Sequence, residues 1–489
     1  MKHLFLETLF FLKRYRYISI ALVIFTTTVL FVFIPRVMKE KPVCERCNVI
    51  LVSLDTLSAL HLPCYGYQRN TAPNLCRFAK ENILFQNSYS QTPFTISSHF
   101  SIFTSLYPST HQMLRPYTGY LKEEYLTLPQ VFRLNGYQTI YNGSLTNNHL
   151  PLDRGLGRGF NIIQPGTVNS WDKTLDDLKK NNMQKRPTFI FFHNDLVHDP
   201  YLVGHGKRRF TTLPEYSNIP LTKEEYNAFT PEFLYFFINY LESSSNNQDL
   251  EFPDKNLLAK LKGAKNLAAA QEIFNNLSKE EKRSSTTSWN NSKIDTNDKN
   301  QIEYLKSLYD EEIYELDRRL TKLFSLFEDP ELAKNTILII TSDHGEEFME
   351  HGELYHGKNI YRTSTYVPLI MYIPGIKSRK IEDLVQGIDI YPTVLGLVNL
   401  SPQSFIQGIN FTNLIVGKQN VKTNEYIISE YQNTVAIQDK KWRFYWNINN
   451  SSSAELYEIE SDPMEQENVK EKHADVVERM RKELYLSSI

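Results

Sequence analysis

Polar residues that could bind a metal ion follow two apolar runs that lie far apart in the chain. The first run, Val49–Leu54, leads into Asp55, and the second, Ile337–Ile340, leads into Asp343 and His344. Both runs are typical of buried strands. Because sites in open α/β sheets lie at the carboxyl ends of the strands, we expect these three side chains to converge. Carboxylate and imidazole ligands predict one divalent cation, and Mn²⁺, Zn²⁺, Mg²⁺ and Ca²⁺ are all compatible with them.

A hydroxyl group that could act as a nucleophile lies between these runs, in the segment QTPFTISSHFSIFTSLYPS. Thr95 is placed in a polar turn before a predicted helix over 98–106, and a bound cation could lower the pKa of its hydroxyl. His99 lies four residues later, so one helical turn could bring it to the same anionic group. Ser97 or Ser98 could serve instead, and Thr95 could equally be a helix cap.

Three further residues could complete a site that cleaves an anionic ester. A predicted strand, Thr188–Phe192, ends in His193, and His198 follows it. His198 and His356 could each donate a proton to a leaving oxygen, and Lys358 could hold an anionic group. Each residue has an ordinary structural explanation on its own, so the prediction rests on their joint occurrence.

The bulk composition is that of a large globular protein. The chain has 489 residues, of which 41% are hydrophobic and 22% charged. Its length allows more than one domain. Its formal net charge of −2 provides no global field for nucleic acid or an anionic membrane surface, so no nucleic-acid partner is predicted.

The amino-terminal segment differs from the rest of the chain. Residues 17–35 carry no charge and are long enough for a helix to cross a bilayer, whereas residues 1–16 and 36–47 contain basic residues on both sides of the run. No small-residue cleavage site is evident, so we predict a transmembrane anchor rather than a removed signal peptide. A buried core helix is the alternative. The basic residues on both sides leave the orientation open.

Four cysteines are too few for a zinc finger with its usual spacing. Cys44 and Cys47 form a CxxC motif, and Cys64 and Cys76 follow without a second such motif. One or two disulfides are plausible outside the cytosol, and free thiols are the alternative.

Alternating strand and helix patterns predict an α/β fold with a mainly parallel sheet covered by helices. We assign residues 48–423 to the catalytic domain, interrupted by an insertion at 203–300 that is rich in Asn, Ser, Lys and Glu. The insertion could select substrates or be a tolerated surface excursion. Residues 424–489 predict a smaller C-terminal α+β subdomain, with residues 36–47 as a linker from the anchor.

Several motifs resemble the sulfatase-like branch of the alkaline phosphatase superfamily. They are SLDTLSALHLPCYGYQRNTAPNL, TPFTISSHFSIFTSLYPSTH, HNDLVHDPY, TSDHGEEFMEHGELYHGKNIY, VPLIMYIPG, GIDIYPTVLGL and the tail KKWRFYWN with AELYEIESDPMEQENV. The resemblance runs from about residue 48 to 486 outside the insertion. It implies an alkaline-phosphatase-like fold. It also implies that Asp55, Asp343 and His344 are metal ligands and that Thr95 is the nucleophile. His198 and His356 would contact the anionic group.

The chain departs from sulfatases at the nucleophile. Sulfatases carry a C/S-x-P-x-R motif whose first residue becomes formylglycine, whereas this segment runs from Thr95 to His99 and has neither the proline nor the arginine. Threonine cannot be converted to formylglycine. A second acidic ligand often follows the first in the family, and here that residue is Thr56; Ser144 replaces an expected lysine. Relatives with threonine nucleophiles transfer phosphoryl-type groups and are membrane-anchored, with an extracytoplasmic catalytic domain.

The leading hypothesis is therefore a metal-dependent hydrolase or transferase that acts on phosphate-type esters through Thr95. Its partners would be an anionic ester, which a lipid or glycan could carry, and a membrane that holds the amino-terminal helix. The catalytic domain would be periplasmic, extracellular or lumenal. A sulfuric ester hydrolase without formylglycine is the second hypothesis, and a non-catalytic binding protein with this fold is the third.

Overall fold

The computed structural model describes residues 43–114, 119–143, 150–165, 171–199, 201, 209–210, 267–277, 294–402 and 404–487. Their main feature is an eight-stranded sheet. A four-stranded sheet lies near the carboxyl terminus, and a two-stranded ribbon lies in a segment that connects two strands of the large sheet.

The strands, in chain order, are β1 (Asn48–Leu54), β2 (Ile83–Tyr89), β3 (Gln138–Gly143), β4 (Ile162–Pro165), β5 (Thr188–Asn194), β6 (Thr336–Thr341), β7 (Glu347–Phe348), β8 (Leu354–Tyr355), β9 (Leu369–Tyr372), β10 (Arg379–Gln386), β11 (Ile427–Tyr431), β12 (Thr434–Gln438), β13 (Trp442–Asn447) and β14 (Asn450–Glu458).

The α-helices are α1 (Pro73–Glu81), α2 (Thr95–Thr104), α3 (Pro108–His111), α4 (Leu128–Leu134), α5 (Trp171–Met183), α6 (Leu267–Asn276), α7 (Lys299–Phe324), α8 (Pro330–Ala333), α9 (Arg362–Thr365), α10 (Gly387–Leu397), α11 (Thr412–Ile415) and α12 (Ala474–Ser487). Short 3₁₀ helices span Ala59–His61, Pro63–Tyr65, Leu152–Arg154 and Ser325–Glu328.

The large sheet has the strand order β10-β2-β9-β6-β1-β5-β3-β4. Its strands are parallel except β9, which pairs antiparallel with both β2 and β6. The central strand β1 lies between β6 and β5, and its side chains are buried on both faces. A continuous apolar run is what such a doubly covered strand requires. The predicted mainly parallel α/β sheet is therefore confirmed.

Helices cover both faces of this sheet. Ile50 and Val52 of β1 belong to a core that includes residues of α1, α5 and α7. On the opposite face, Phe191 of β5 packs edge-on against Phe103 of α2, with ring centroids 4.8 Å apart. Alternate residues of each strand thus contact different helical layers, as the two-residue repeat of a strand requires.

The carboxyl-terminal part forms the predicted α+β unit. The antiparallel strands β11–β14 carry α12 on one face, where Val476 and Met480 pack against Phe444 and Leu456. Asp439 forms the turn between β12 and β13, where its carboxylate accepts hydrogen bonds from the backbone N–H groups of Lys441 and Trp442 at 2.8 and 2.7 Å.

A buried arginine connects this unit to the large sheet. Arg443 of β13 is 1% exposed and lies 3.5 Å from the Glu465 carboxylate. Its guanidinium also donates to the Ile360 carbonyl and to the Thr365 hydroxyl, both at 2.9 Å. Glu465 in turn accepts a 2.7 Å bond from the backbone N–H of Arg362, at the start of α9. Charged groups without water need such partners, so this network holds the two units in register.

All four cysteines are paired, as Cys44–Cys47 and Cys64–Cys76. The predicted disulfides are thus present, and the free-thiol alternative is not. Both pairs are compatible with an oxidising compartment.

Several sequence predictions lie outside the described residues. They include the anchor at 17–35 with the segment 1–16, and most of the linker 36–47 and of the insertion 203–300. Within the insertion, the structure describes the helix α6. Among the helices of the described ranges, none has both the length and the hydropathy needed to span a bilayer.

Removal of Arg443 should destabilise the protein strongly, because it leaves Glu465 buried without its cationic partner. We expect Arg443→Ala to lower the free energy of unfolding by about 3 kcal/mol or more. Lys441→Ala, which removes an exposed ion pair to Glu458, should cost less than about 1 kcal/mol. Urea unfolding followed by circular dichroism measures both; equal effects would contradict the assigned role of Arg443.

Candidate active site

The three predicted metal ligands meet at the carboxyl edge of the central strands. Asp55 directly follows β1, and Asp343 and His344 follow the neighbouring β6. One ligand atom from each lies within 4.8 Å of the others, and all three side chains are fully buried. The parallel pairing of β1 with β6 produces this convergence, because it brings the two strand ends to the same edge.

The backbone around Thr56 holds the Asp343 carboxylate in place. Asp343 Oδ1 accepts hydrogen bonds from the backbone N–H groups of Thr56 at 3.2 Å and of His344 at 2.9 Å. Thr56 has a φ of 60°, which is rare for a β-branched residue and costs conformational energy. Its carbonyl is held by the Tyr309 hydroxyl at 2.7 Å. The strained turn therefore serves to orient Asp343.

The other carboxylate oxygens of this pair are unsatisfied. Both oxygens of Asp55 and Oδ2 of Asp343 are buried without a hydrogen-bond partner. Burial, reinforced by the negative charge of Asp343, raises the pKa of Asp55 well above its ordinary value. For Asp343, burial alone would raise the pKa, but the neighbouring His344 and His99 lower it below its ordinary value.

A divalent cation fits this arrangement of donor atoms. Buried carboxylates without donors carry a large desolvation cost, and a cation is the partner that removes it. Asp55, Asp343 and His344 would hold the ion. Burial lowers the pKa of His344 to about 3, so its imidazole is neutral at physiological pH and can act as a ligand.

The Thr95 hydroxyl lies beside these donor atoms. Thr95 Oγ1 is 3.0 Å from His344 Nε2. Because the carbonyl of Gly345 can only accept, the 2.9 Å bond at His344 Nδ1 places the ring proton on Nδ1. Nε2 therefore carries the lone pair of the ring, which can either accept from the Thr95 hydroxyl or bind a cation. The helix begins at Thr95 itself rather than near residue 98 as predicted, so the hydroxyl also lies at the positive end of α2.

The two alternative nucleophiles have structural partners. Ser97 Oγ donates to the Met113 carbonyl at 2.6 Å, and Ser98 Oγ donates to the Asp343 carbonyl at 2.7 Å. These hydroxyls connect α2 to its surroundings, which leaves Thr95 as the hydroxyl that faces the Asp343–His344 group.

Two further imidazoles lie behind the carboxylates. His99 Nδ1 donates to the Thr95 carbonyl at 2.7 Å, and Nε2 lies 2.9 Å from Ser53 Oγ. Both nitrogens of His99 are thus engaged with protein atoms, which favours a supporting role for this residue over substrate contact. His193, at the end of β5, has its Nε2 3.3 Å from Asp55 Oδ2.

His198 and His356 form the more open side of the site. Their ring centroids are 4.8 Å apart, and the His356 ring is 4.5 Å from that of His344. Their side chains are 16% and 11% exposed, whereas the ring of His344 is inaccessible. A substrate can therefore approach from the side of His198 and His356.

A buried glutamate orients one of these histidines. Glu346 Oε1 accepts from His356 Nδ1 at 2.9 Å, and Oε2 accepts from the Tyr201 hydroxyl at 2.9 Å. Burial, with a contribution from Asp199, raises the pKa of Glu346 well above its ordinary value. This contact places the proton of His356 on Nδ1 and directs Nε2 away from Glu346.

Lys358 lies apart from the buried group. Its ammonium pairs with the Glu353 carboxylate at 2.8 Å, and its side chain is 46% exposed. The structure therefore brings together the seven other predicted site residues and leaves Lys358 at the surface, outside this group.

Three residues of this site are not predicted from the sequence: His193, Glu346 and Thr56. His193 ends a predicted strand, and a polar residue there is the same signal that identifies Asp55. Glu346 lies in the DHGEE run, and its role as an orienting group depends on a contact with His356 that spacing does not reveal.

Family comparisons agree with this fold. A family model described as Sulfatase matches residues 47–400, and one described as N-sulphoglucosamine sulphohydrolase, C-terminal, matches residues 349–488. Arylsulfatase K of Gallus gallus is 23% identical over 458 residues, which cover 90% of this chain and 82% of that protein.

Solved structures with the same fold include proteins with two named substrate classes. A complex with D-glucosamine-2-N,6-O-disulfate as substrate has a TM-score of 0.64 and 17% identity, covering 91% of this chain and 97% of that one. The phosphonate monoester hydrolase of Agrobacterium radiobacter has a TM-score of 0.60 and 17% identity, covering 90% and 95%.

Neutralising Asp55 should stabilise the metal-free protein, because it removes a buried carboxylate without donors. We expect Asp55→Asn to raise the free energy of unfolding of chelator-treated protein by about 1–3 kcal/mol. Because the pKa of Asp55 is raised in the fold, the wild type loses stability as pH rises from 3.8 through that raised pKa, and the variant does not.

The control is Asp310→Asn, at an equally buried carboxylate that is paired with His61 at 2.7 Å and Arg69 at 2.8 Å. This variant should destabilise the protein. Urea unfolding between pH 5 and 8 separates the two cases, and a destabilised Asp55→Asn apoprotein would contradict the unsatisfied state of Asp55.

Proposed function

The chain belongs to the sulfatase family, and we propose that it is a metal-dependent hydrolase or transferase that acts on phosphate-type esters through Thr95. The observation that carries this proposal is the position of Thr95 Oγ1, 3.0 Å from His344 Nε2 and at the amino end of α2. An isolated threonine hydroxyl is a weak nucleophile, so it needs such surroundings.

A cation held by Asp55, Asp343 and His344 would supply positive charge, which lowers the pKa of the Thr95 hydroxyl and offsets negative charge on the ester. The unsatisfied oxygens of Asp55 and Asp343 support this role for them. The ligand types allow several metals, and the nitrogen donors favour Zn²⁺ or Mn²⁺ over Ca²⁺.

In the proposed reaction, the Thr95 hydroxyl loses its proton to solvent, and its Oγ attacks phosphorus and forms an Oγ–P bond while the bond to the leaving oxygen breaks. His198 or His356, as an imidazolium, gives a proton to that oxygen and becomes neutral. The Glu346 carboxylate holds His356 in the orientation needed for this transfer, through the 2.9 Å bond at Nδ1. Water or an acceptor alcohol then gives its proton to the same imidazole and attacks phosphorus; the Oγ–P bond breaks, and Thr95 takes a proton back from solvent.

His99 holds the backbone of the proposed nucleophile, Thr95, in place. Its Nδ1–H bond to the Thr95 carbonyl and its contact with Ser53 fasten the first turn of α2 to the end of β1. Burial lowers the pKa of His99 to about 4, so this imidazole is neutral at physiological pH. The arginine of sulfatases would place a permanent charge at this position, and its absence favours dependence on the cation.

Sulfate ester hydrolysis is the second candidate function. The relative named arylsulfatase K and the neighbour bound to a glucosamine disulfate favour it. The phosphonate monoester hydrolase neighbour is compatible with the first candidate. We rank the phosphate-type reaction first because Thr95 cannot become formylglycine.

We also propose that residues 17–35 anchor the chain in a membrane and that the catalytic part is extracytoplasmic. The uncharged run and its basic flanks support the anchor. The two disulfides, Cys44–Cys47 and Cys64–Cys76, support an oxidising compartment. An anionic ester on a lipid or glycan would be within reach of an anchored enzyme.

Thr95→Ala should abolish turnover because it removes the nucleophilic oxygen. We expect kcat to fall by at least about 10³-fold, while Thr95→Ser retains part of the activity because it keeps the hydroxyl. Ser97→Ala is the matched control, since it removes a buried hydroxyl from the same helix that bonds only to the Met113 carbonyl. Steady-state kinetics provides the measurement, and full turnover by Thr95→Ala would sink the proposal.

A panel of aryl esters tests the substrate class. The panel contains a phosphate monoester, a phosphodiester, a phosphonate monoester and a sulfate ester that share one leaving group. We expect the highest kcat/KM for one of the phosphorus esters. Faster sulfate turnover, retained after mutation of the formylglycine-forming system of the expression host, would reverse our ranking.

A further inference from the structure

His193 lies beside the residues of the candidate metal site. It is the penultimate residue of β5. It pairs in register with Ser53 of β1, and Ser53 precedes Asp55 by two residues. Its side chain is 1% exposed. The parallel pairing of β5 with β1 therefore brings this imidazole to the same strand edge as the two carboxylates.

Both ring nitrogens of His193 are buried without a hydrogen-bond partner. A neutral imidazole carries one lone pair on its two ring nitrogens. A buried imidazole without partners costs free energy, as do the unsatisfied oxygens of Asp55 and Asp343 beside it. A cation bound between His193, Asp55 and Asp343 would provide a partner for the lone pairs of all three residues.

The separations of these atoms agree with a shared ion. His193 Nε2 lies 3.3 Å from Asp55 Oδ2. His344 Nε2 lies 3.7 Å from Asp55 Oδ1 and 3.5 Å from Asp343 Oδ2. Two atoms that each lie about 2.1 Å from one ion are roughly 3.0–3.4 Å apart. One ligand atom of His193 also lies within 4.8 Å of one of Asp343, so His193 contacts both carboxylates of the set.

His99 does not compete for this role. It forms a close group with His193 and Asp343. However, its Nδ1–H donates to the Thr95 carbonyl, and Nε2 contacts Ser53 Oγ. Its lone pair is therefore already used, whereas that of His193 is not.

We propose that His193 is a fourth protein ligand of the cation held by Asp55, Asp343 and His344, and that this nitrogen-rich set selects a transition-metal ion such as Zn²⁺ over Ca²⁺. This inference rests on the proposed function, which assigns a cation to the site. Two carboxylates balance a divalent charge, and two neutral imidazoles add donors that Ca²⁺ binds poorly. Thr56, in place of a further acid after Asp55, leaves the set without the additional oxygen that Ca²⁺ prefers.

Cobalt(II) provides a probe with a readout that is independent of turnover. The full chain, stripped with a chelator, is titrated with Co²⁺, and visible absorption reports the ligand set. We expect His193→Gln to weaken Co²⁺ and Zn²⁺ binding by at least about 10-fold and to change the Co²⁺ spectrum, with less than about a threefold effect on Ca²⁺ binding.

His111→Gln is the matched control, since it also replaces a fully buried histidine, but one whose ring is bonded to Ser101 and to the Met113 N–H. It should leave the Co²⁺ spectrum and affinity unchanged. X-ray absorption at the zinc edge of the wild type counts imidazole ligands without any substitution, and two are expected. This measurement decides the matter if His193→Gln does not fold.

Unchanged Co²⁺ affinity and spectrum in His193→Gln, or a single imidazole at the zinc edge, would overturn the role of His193 and leave the Thr95 mechanism standing. A wild type that prefers Ca²⁺ would overturn the selectivity alone. Turnover by Thr95→Ala alongside a loss of Co²⁺ binding in His193→Gln would instead reject the proposed function and keep this metal centre. A wild type that takes up no divalent ion would reject both.

Discussion

The burial of two carboxylates at one edge of a parallel sheet is the constraint on which the site depends. Asp55 and Asp343 have no access to water, and three of their four oxygens lack a hydrogen-bond partner. A fold tolerates such a cost where binding later compensates for it. The strained turn at Thr56 and the neutral imidazoles lie around these carboxylate oxygens, which lack a positively charged partner.

The rest of the molecule holds this edge in place from several directions. The parallel pairing of β1 with β5 and β6 aligns three strand ends. Helix α2 brings the Thr95 hydroxyl over them, and its fully buried surface prevents it from shifting independently of the sheet. The Arg443–Glu465 network joins the carboxyl-terminal unit to α9, and α9 follows the loop that carries His356. Catalytic precision of this kind requires rigid supporting elements.

The departures of this chain from the sulfatase motif form a consistent set. A threonine replaces the residue that would become formylglycine, a neutral histidine replaces an arginine, and a threonine follows Asp55 where an acid is common. Together they remove permanent charge from the protein and leave more of the charge compensation to the cation. A hydroxyl nucleophile with a phosphate-type ester matches such a site better than the formylglycine reaction does.

The sequence alone determined the fold class and most of the site. Apolar runs that end in Asp55 and in Asp343–His344 are a local signal for buried strands with polar ends. The residue pattern of the carboxyl-terminal segment likewise predicted its strands and turns. The sequence did not determine which lone pairs remain unsatisfied, why the helix begins at Thr95, or that Lys358 pairs with Glu353. Only the tertiary structure decided that His193 joins the carboxylates and that Glu346 orients His356. These contacts depend on strand register and on atom-to-atom distances between segments remote in sequence, which residue types and spacing do not encode locally.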